Sequence, residues 1–373
     1  MRHEIPFFSL AQAHGVIRAE VTAFLSECYD SNWYVLGQRL RQFEAAYAQW
    51  NHVRHCIGVG NGFDALVIAL TALGIGPGDE VIVPSNTYIA SWLAVTRCGA
   101  TPVPVEPRPD TWNLAPEGIE PAITSYTKAI MPVHLYGQAC EMGAIMQIAE
   151  RSGLFVVEDN AQAHGAAYNG QLTGSFGTIN ATSFYPTKNL GALGDAGAVT
   201  TQDDQLADFC RTFGNYGSRQ KYQNELSGIN SRLDDIQAGV LSIKLLYLER
   251  WNEARLLLAQ RYLFHLKGIP GIQLPAVATD CTHVWHLFVI LVAQRDALQQ
   301  HLLAHGIQTM AHYPIPPHLQ GAYRAAGFRA SQFPIAEQIA RTCLSLPLYP
   351  GMNEDAVDVV CEEIRAFLML END

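Results

Sequence analysis

Between residues 56 and 157 short apolar runs alternate with helical stretches, and this alternation limits the fold more tightly than any other feature. Residues 56–59, 81–83, 102–105, 129–133 and 154–157 read as strands. Residues 64–73, 88–98, 116–123 and 142–151 read as helices between them. Strands this short and this apolar are buried on both faces. The expected architecture is therefore α/β, a mostly parallel sheet with helices on each side. Ligands of such sheets bind at the carboxyl ends of the strands. Gly62, Asp159 and Lys188 all fall at or just after strand ends.

Amphipathic helices precede this region, with Val16, Val21, Phe24, Leu25 and Cys28 on one face and Leu40, Phe43, Tyr47 and Trp50 on another. Beyond residue 201 the texture changes. A polar stretch covers 215–232, and one long helical pattern runs from Asp234 to about Leu266. An alternating segment follows at 284–292, with further helices near 297–305 and 333–343. A chain of 373 residues exceeds one small core. The expected division is a large domain over 1–245, carrying the N-terminal helices, and a smaller C-terminal α/β domain over 246–373.

With 49% hydrophobic and 16% charged residues, the chain can bury enough apolar surface to offset the entropy of ordering. The formal net charge of −11 argues against nucleic acid or an anionic membrane as partner. The eight cysteines contain no CxxC pair and read as buried, reduced thiols of a cytoplasmic protein. The N-terminal residues lack an apolar signal core, and no apolar run approaches membrane-spanning length.

The chemistry concentrates in three segments. Ser183-Phe184-Tyr185-Pro186-Thr187-Lys188-Asn189-Leu190-Gly191 ends a strand-like run and sets one lysine among small hydroxyl residues and glycines. Partial desolvation lowers a lysine's pKa and makes its amine a trap for carbonyls. Asp159 ends the strand 154–159, and Glu158 beside it would face the opposite side of that strand; spacing alone does not choose between them. Gln162 and His164 follow in the next turn, where an amide can hydrogen-bond a cofactor oxygen. Gly58-Val59-Gly60-Asn61-Gly62 leads into a helix whose free backbone N–H groups suit a phosphate. It lacks the third glycine of a dinucleotide fingerprint, which argues against a nicotinamide-dependent oxidoreductase. A phosphate cradle, an acid and a lysine, each at a strand end, form the layout for pyridoxal 5′-phosphate. Tyr88 begins a later helix and could stack on a flat ring. The histidine pairs 52/55, 283/286 and 301/305 have metal-compatible spacing but no third ligand in sequence context, and they read as non-metal.

Gly60-Asn61-Gly62-Phe63-Asp64-Ala65-Leu66, Glu158-Asp159-Asn160-Ala161-Gln162-Ala163-His164-Gly165 and the run from Ser183 to Gly197 resemble the DegT/DnrJ/EryC1/StrS sugar aminotransferases. So do Gly228-Ile229-Asn230-Ser231-Arg232-Leu233-Asp234 and His312-Tyr313-Pro314-Ile315-Pro316-Pro317-His318. The resemblance spans nearly the whole chain in the expected order. It implies the aspartate aminotransferase fold, pyridoxal phosphate fold type I, in a homodimer with shared active sites. It implies Lys188 as the Schiff-base lysine, Asp159 at the pyridine nitrogen and Gln162 at the ring hydroxyl. Backbone at Gly62 and Phe63 and the Ser183 hydroxyl would hold the phosphate. Asn230 of the partner subunit would reach the same phosphate, and Tyr88 would cover the ring. Phe63 departs from the threonine of many members, which removes a side-chain phosphate contact there. Related dehydratases carry histidine in place of the lysine, so the presence of Lys188 favours a transaminase.

The sequence around Lys188 is most similar to enzymes that aminate C-3 of dTDP-3-keto-6-deoxyhexoses. The expected activity is transfer of an amino group from L-glutamate to such a sugar, with Lys188 moving protons in both half-reactions. Tyr185, Arg219, Tyr222 and His318 are the expected substrate contacts, the last three toward its pyrophosphate. The alternatives are a 4-aminotransferase on a 4-keto sugar and a cofactor-binding regulator without turnover.

Overall fold

The structure is a computed structural model that describes residues 4–370. Its frame is a seven-stranded sheet. The strands are β1 (His55–Val59), β2 (Glu80–Pro84), β3 (Thr101–Val105), β4 (Thr127–Ile130), β5 (Phe155–Asp159), β6 (Ile179–Ser183) and β7 (Gly197–Thr201). Their spatial order is β1-β7-β6-β5-β4-β2-β3, and only β7 runs antiparallel to its neighbours. The expected α/β, mostly parallel sheet is the one observed.

Residue alternation decides which face each side chain takes. Val81, Val83, Ala129 and Val157 pack on one face with Leu66, Ile68 and Leu70 of α3 (Gly62–Ala72) and Trp92 and Val95 of α4 (Ile89–Arg97). Ile82, Ile130 and Val156 pack on the other with Met142, Ile145 and Ile148 of α5 (Met142–Ser152). Asp159 continues the register of Val157, and Glu158 that of Val156.

Two long helices, α1 (Ala11–Ser31) and α2 (Gln38–Trp50), precede the sheet, and α6 (Asp204–Gly214) follows it. Leu40, Phe43 and Tyr47 of α2 bury against Phe184, Leu190 and Ala192, so α2 backs the segment that carries Lys188. The long helix expected from Asp234 is two helices, α7 (Asp235–Leu245) and α8 (Leu248–Leu266), interrupted at Leu246 and Tyr247. Apolar periodicity carries through the interruption because both helices bury one face, so periodicity alone could not show it.

The smaller C-terminal sheet has three strands, β8 (Ile272–Gln273), β9 (Phe288–Val292) and β10 (Cys343–Leu346). The helices α9 (Arg295–Ala304), α10 (Pro334–Thr342) and α11 (Glu354–Leu370) accompany it. The segment 284–287, expected to be strand, is irregular and leads into β9. A second core joins α8, β9 and α11, and Ile5 belongs to it through a parallel bridge to Ile307. Ile5 thus packs with the last third of the chain. All eight cysteines are free, and Cys98 alone of them is not buried. Among the described residues no helix is long and apolar enough to cross a membrane.

Candidate active site

The carboxyl ends of β1, β5 and β6 meet at one place. Asn61 caps α3, its side chain accepting from the Asp64 N–H at 2.8 Å. Helix N-termini leave backbone N–H groups without intrahelical partners, and the helix dipole favours an anion there. Gly62 sits at this terminus directly against β6. A Cβ on Gly62 would lie 2.5 Å from the Ser183 Cβ. The absent side chain is what lets the helix end and the Ser183 hydroxyl approach each other, a set of donors that fits a phosphate. Phe63 follows with its ring packed against the main core. From outside, Ser231 Oγ donates to Asp64 Oδ2 at 2.6 Å and accepts the Gly60 N–H at 3.0 Å, fixing this turn to the segment 215–232.

The two adjacent carboxylates are separated by the alternation of β5. Asp159 is buried, takes a hydrogen bond from Ser91 Oγ at 2.8 Å and another from the Ala161 N–H at 3.2 Å. Burial raises its pKa, against which Ser91, the Ala161 N–H and the charge of Lys188 act. Glu158 has no exposed surface and is fully engaged on the other face. It accepts from His134 Nε2 at 2.8 Å and from the backbone N–H groups of Gly174 (2.8 Å), Phe176 (2.6 Å) and Gly177 (2.8 Å). His134 Nδ1 takes the Cys140 N–H at 3.0 Å, which places the imidazole proton on Nε2. Glu158 holds a loop together, and Asp159 is the carboxylate that interacts with Lys188.

Lys188 lies in the loop after β6, its backbone N–H bonded to Tyr185 O at 2.8 Å. Desolvation lowers its pKa to about 8, with the Asp159 charge acting in the opposite direction. Three imidazoles feel its charge. Burial holds His164 down to about 3 and His312 to about 4, and His286 falls well below its ordinary value; the Lys188 charge adds to each. His164 stacks on Phe184 and pairs with Thr182 Oγ1 at 2.9 Å. Asn189 is tied to Asn252 Oδ1 (2.8 Å), Val284 O (3.0 Å) and His286 Nδ1 (3.3 Å). Behind the loop, buried Lys244 donates to Gly191 O at 2.6 Å.

Gln162 accepts the Tyr136 N–H at 2.6 Å and donates to the Tyr313 hydroxyl at 3.0 Å. Tyr313 also leans on Tyr88, with ring centroids 5.0 Å apart. The C-terminal part thus reaches over the strand ends through His312 and Tyr313. Tyr88 and Tyr185 are both about half exposed beside the site.

The remaining sequence candidates lie elsewhere. Arg219, Tyr222 and Asn230 are exposed on the segment 215–232, which carries the hairpin Ser218–Gln220 with Gln223–Asn224. Arg219 is paired with Asp208 and Glu225. His318 does not line an open cleft. It is buried between Phe333 and Glu337, with Nε2 3.2 Å from Glu337 Oε1, because the turn Pro317–Leu319 points it inward. Ser91, His134, Asn189 and His286 were missed, since their partners are 68, 24, 63 and 97 positions away.

The site therefore offers a phosphate cradle, a carboxylate and a partly desolvated amine at neighbouring strand ends, which is the donor set of a pyridoxal phosphate enzyme. Residues 16–365 match the description of the DegT/DnrJ/EryC1/StrS aminotransferase family, and the chain belongs to it. It is 50% identical over 361 residues to a dTDP-3-amino-3,4,6-trideoxy-alpha-D-glucose transaminase of Streptomyces venezuelae, covering 97% of this chain and 95% of that one. It is 50% identical over 363 residues to a dTDP-3-amino-3,6-dideoxy-alpha-D-galactopyranose transaminase of Aneurinibacillus thermoaerophilus, covering 97% and 99%. The crystal structure of S. venezuelae DesV in complex with a ketimine intermediate superposes with a TM-score of 0.96 at 50% identity, covering 98% of each chain. The protein is a pyridoxal phosphate-dependent sugar aminotransferase.

Proposed function

We propose that the protein transfers the amino group of L-glutamate to C-3 of a dTDP-3-keto-6-deoxyhexose. The observation that carries this reading is the pair of relatives at 50% identity over nearly full length, both named for dTDP-3-amino sugars. The amine, carboxylate and phosphate cradle supply the groups such a reaction needs.

When bound, pyridoxal phosphate supplies a carbonyl for amines and an electron-withdrawing ring. In our reading the N–H groups at Gly62 and Phe63 and the Ser183 hydroxyl hold its phosphate. Asp159 would keep the pyridine nitrogen protonated, and Gln162 would orient the ring by a hydrogen bond. Lys188 would hold the cofactor through Nζ until the donor amine replaces it. Freed, Nζ would take a proton from the donor α-carbon and deliver it on the cofactor side, and in the second half-reaction would carry one from the cofactor side to the sugar carbon. A pKa of about 8 leaves both protonation states accessible near neutral pH. Tyr88 and Tyr313 keep water from this proton transfer. Tyr185, Arg219 and Tyr222 meet the sugar nucleotide, the arginine exchanging its present carboxylate partners for phosphate oxygens. Asn230 of the partner subunit completes the phosphate site in a homodimer.

The test is an assay with L-glutamate and a panel of nucleotide keto-sugars: dTDP-3-keto, dTDP-4-keto and UDP-3-keto. Turnover confined to the dTDP-3-keto members supports the proposal. Turnover with 4-keto or UDP members alone overturns the regiochemistry or the nucleotide.

A further inference from the structure

We propose that His301, His305 and Glu363 form a binding site for a divalent transition-metal ion of the zinc class, on the C-terminal part and apart from the transaminase site. The sequence spacing of the two histidines showed no third ligand; the fold supplies it from α11. His301 lies in the last turn of α9 and His305 just beyond its end, four positions apart and so on one face. Their ring centroids are 4.4 Å apart. Glu363 meets both, its Oε2 3.2 Å from His301 Nε2 and 3.7 Å from His305 Nε2. The three ligand atoms all lie within 4.8 Å of one another.

Two of these separations come close to the edges of a coordination polyhedron. Zinc–nitrogen and zinc–oxygen bonds of about 2.0–2.1 Å in a tetrahedron put neighbouring ligand atoms about 3.4 Å apart. Two of the edges are already near that value. The tautomer of His305 is also set. Its Nδ1 is 2.8 Å from the His301 carbonyl oxygen and donates to it, leaving the Nε2 lone pair directed at Glu363. A backbone carbonyl acting on the distal nitrogen is the usual way a metal-binding imidazole is oriented.

A divalent ion would satisfy both imidazoles and the carboxylate together. Imidazole with carboxylate suits zinc, nickel and cobalt better than magnesium or calcium. The side chains are 19%, 36% and 29% exposed, so the fourth position is open to water. The ion would clamp the end of α9 to α11.

The experiment uses the full-length, cofactor-loaded protein without a histidine tag, first treated with a chelator. Cobalt(II) is titrated in and followed by visible absorption. The expected result is one cobalt per chain, with the intense d–d bands of a tetrahedral site, no thiolate charge-transfer band, and displacement by zinc. Losing an outer partner of a metal ligand costs about 10–100-fold in affinity. His301→Ala and the near-isosteric Glu363→Gln should therefore each weaken binding by more than about 10-fold, with transaminase activity unchanged. Absence of a cobalt spectrum in the unmodified protein, or unaltered affinity in both variants, overturns the proposal.

Discussion

Glu158→Ala should destabilise a protein whose active site it never touches, while Asp159→Ala should weaken cofactor binding in a protein that keeps most of its stability. Glu158 accepts four donors, His134 Nε2–H and the N–H groups of Gly174, Phe176 and Gly177, all between 2.6 and 2.8 Å. Each buried donor left unpaired costs about 1–3 kcal/mol. The space opened by the alanine is polar enough for a water, which can accept from two of them. Two donors remain, and the expected loss is about 2–6 kcal/mol, centred near 4. Glutamine in place of Glu158 keeps one acceptor oxygen but turns an NH2 group toward two of the donors, so Glu158→Gln should recover little. Asp159→Ala gives up two hydrogen bonds but also relieves a desolvated carboxylate. Its cost should stay below about 2 kcal/mol. Thermal scans of the cofactor-stripped proteins separate these effects from cofactor binding. At about 2 °C per kcal/mol for a long chain, Glu158→Ala should melt roughly 8 °C below wild type and Asp159→Ala within about 4 °C of it. The cofactor titration should invert the order, with weak binding by Asp159→Ala. A Glu158→Ala protein melting within 2 °C of wild type, or an Asp159→Ala protein losing as much, would refute the division of roles.

Because the Lys188 amine titrates at about 8, the rate at which stripped enzyme captures pyridoxal phosphate should rise with pH through that value and level off above it. The neutral amine is the nucleophile, and the Asp159 charge raises the lysine pKa, so Asp159→Asn should move the midpoint down; a pH-independent rate or an upward shift would contradict the assignment. Gly62→Ala forces a Cβ against Ser183 and should lower cofactor affinity while leaving near-wild-type helix content by circular dichroism; unchanged affinity would remove the phosphate cradle from this turn. Inactive Asn230→Ala and Lys188→Ala proteins, mixed under conditions where subunits exchange, should regain part of the activity through hybrid dimers. Exchange without any recovery would mean that each site is built from one chain.

Local pattern was enough for the strands of the main sheet other than β7, for helices between them and for the position of Lys188, because apolar alternation and strand-end chemistry are written within a few residues. It also placed Glu158 and Asp159 on opposite faces of β5, since successive side chains of a strand must diverge. Which face held the site was not local. That depended on α4 bringing Ser91 beside Asp159 and on the loop at Gly174–Gly177 closing over Glu158. The interruption at Leu246 and Tyr247, the return of Ile5 to the C-terminal core and the inward turn of His318 were equally illegible, for each is settled by packing between distant segments. The same holds for His301 and His305: their spacing is in the sequence, but the carboxylate that gives it meaning lies 62 positions from His301 on another helix. Sequence determined which chemical groups the chain carries and which lie at strand ends. Only the tertiary structure decided their partners, because hydrogen bonding and desolvation depend on distance in space and not along the chain.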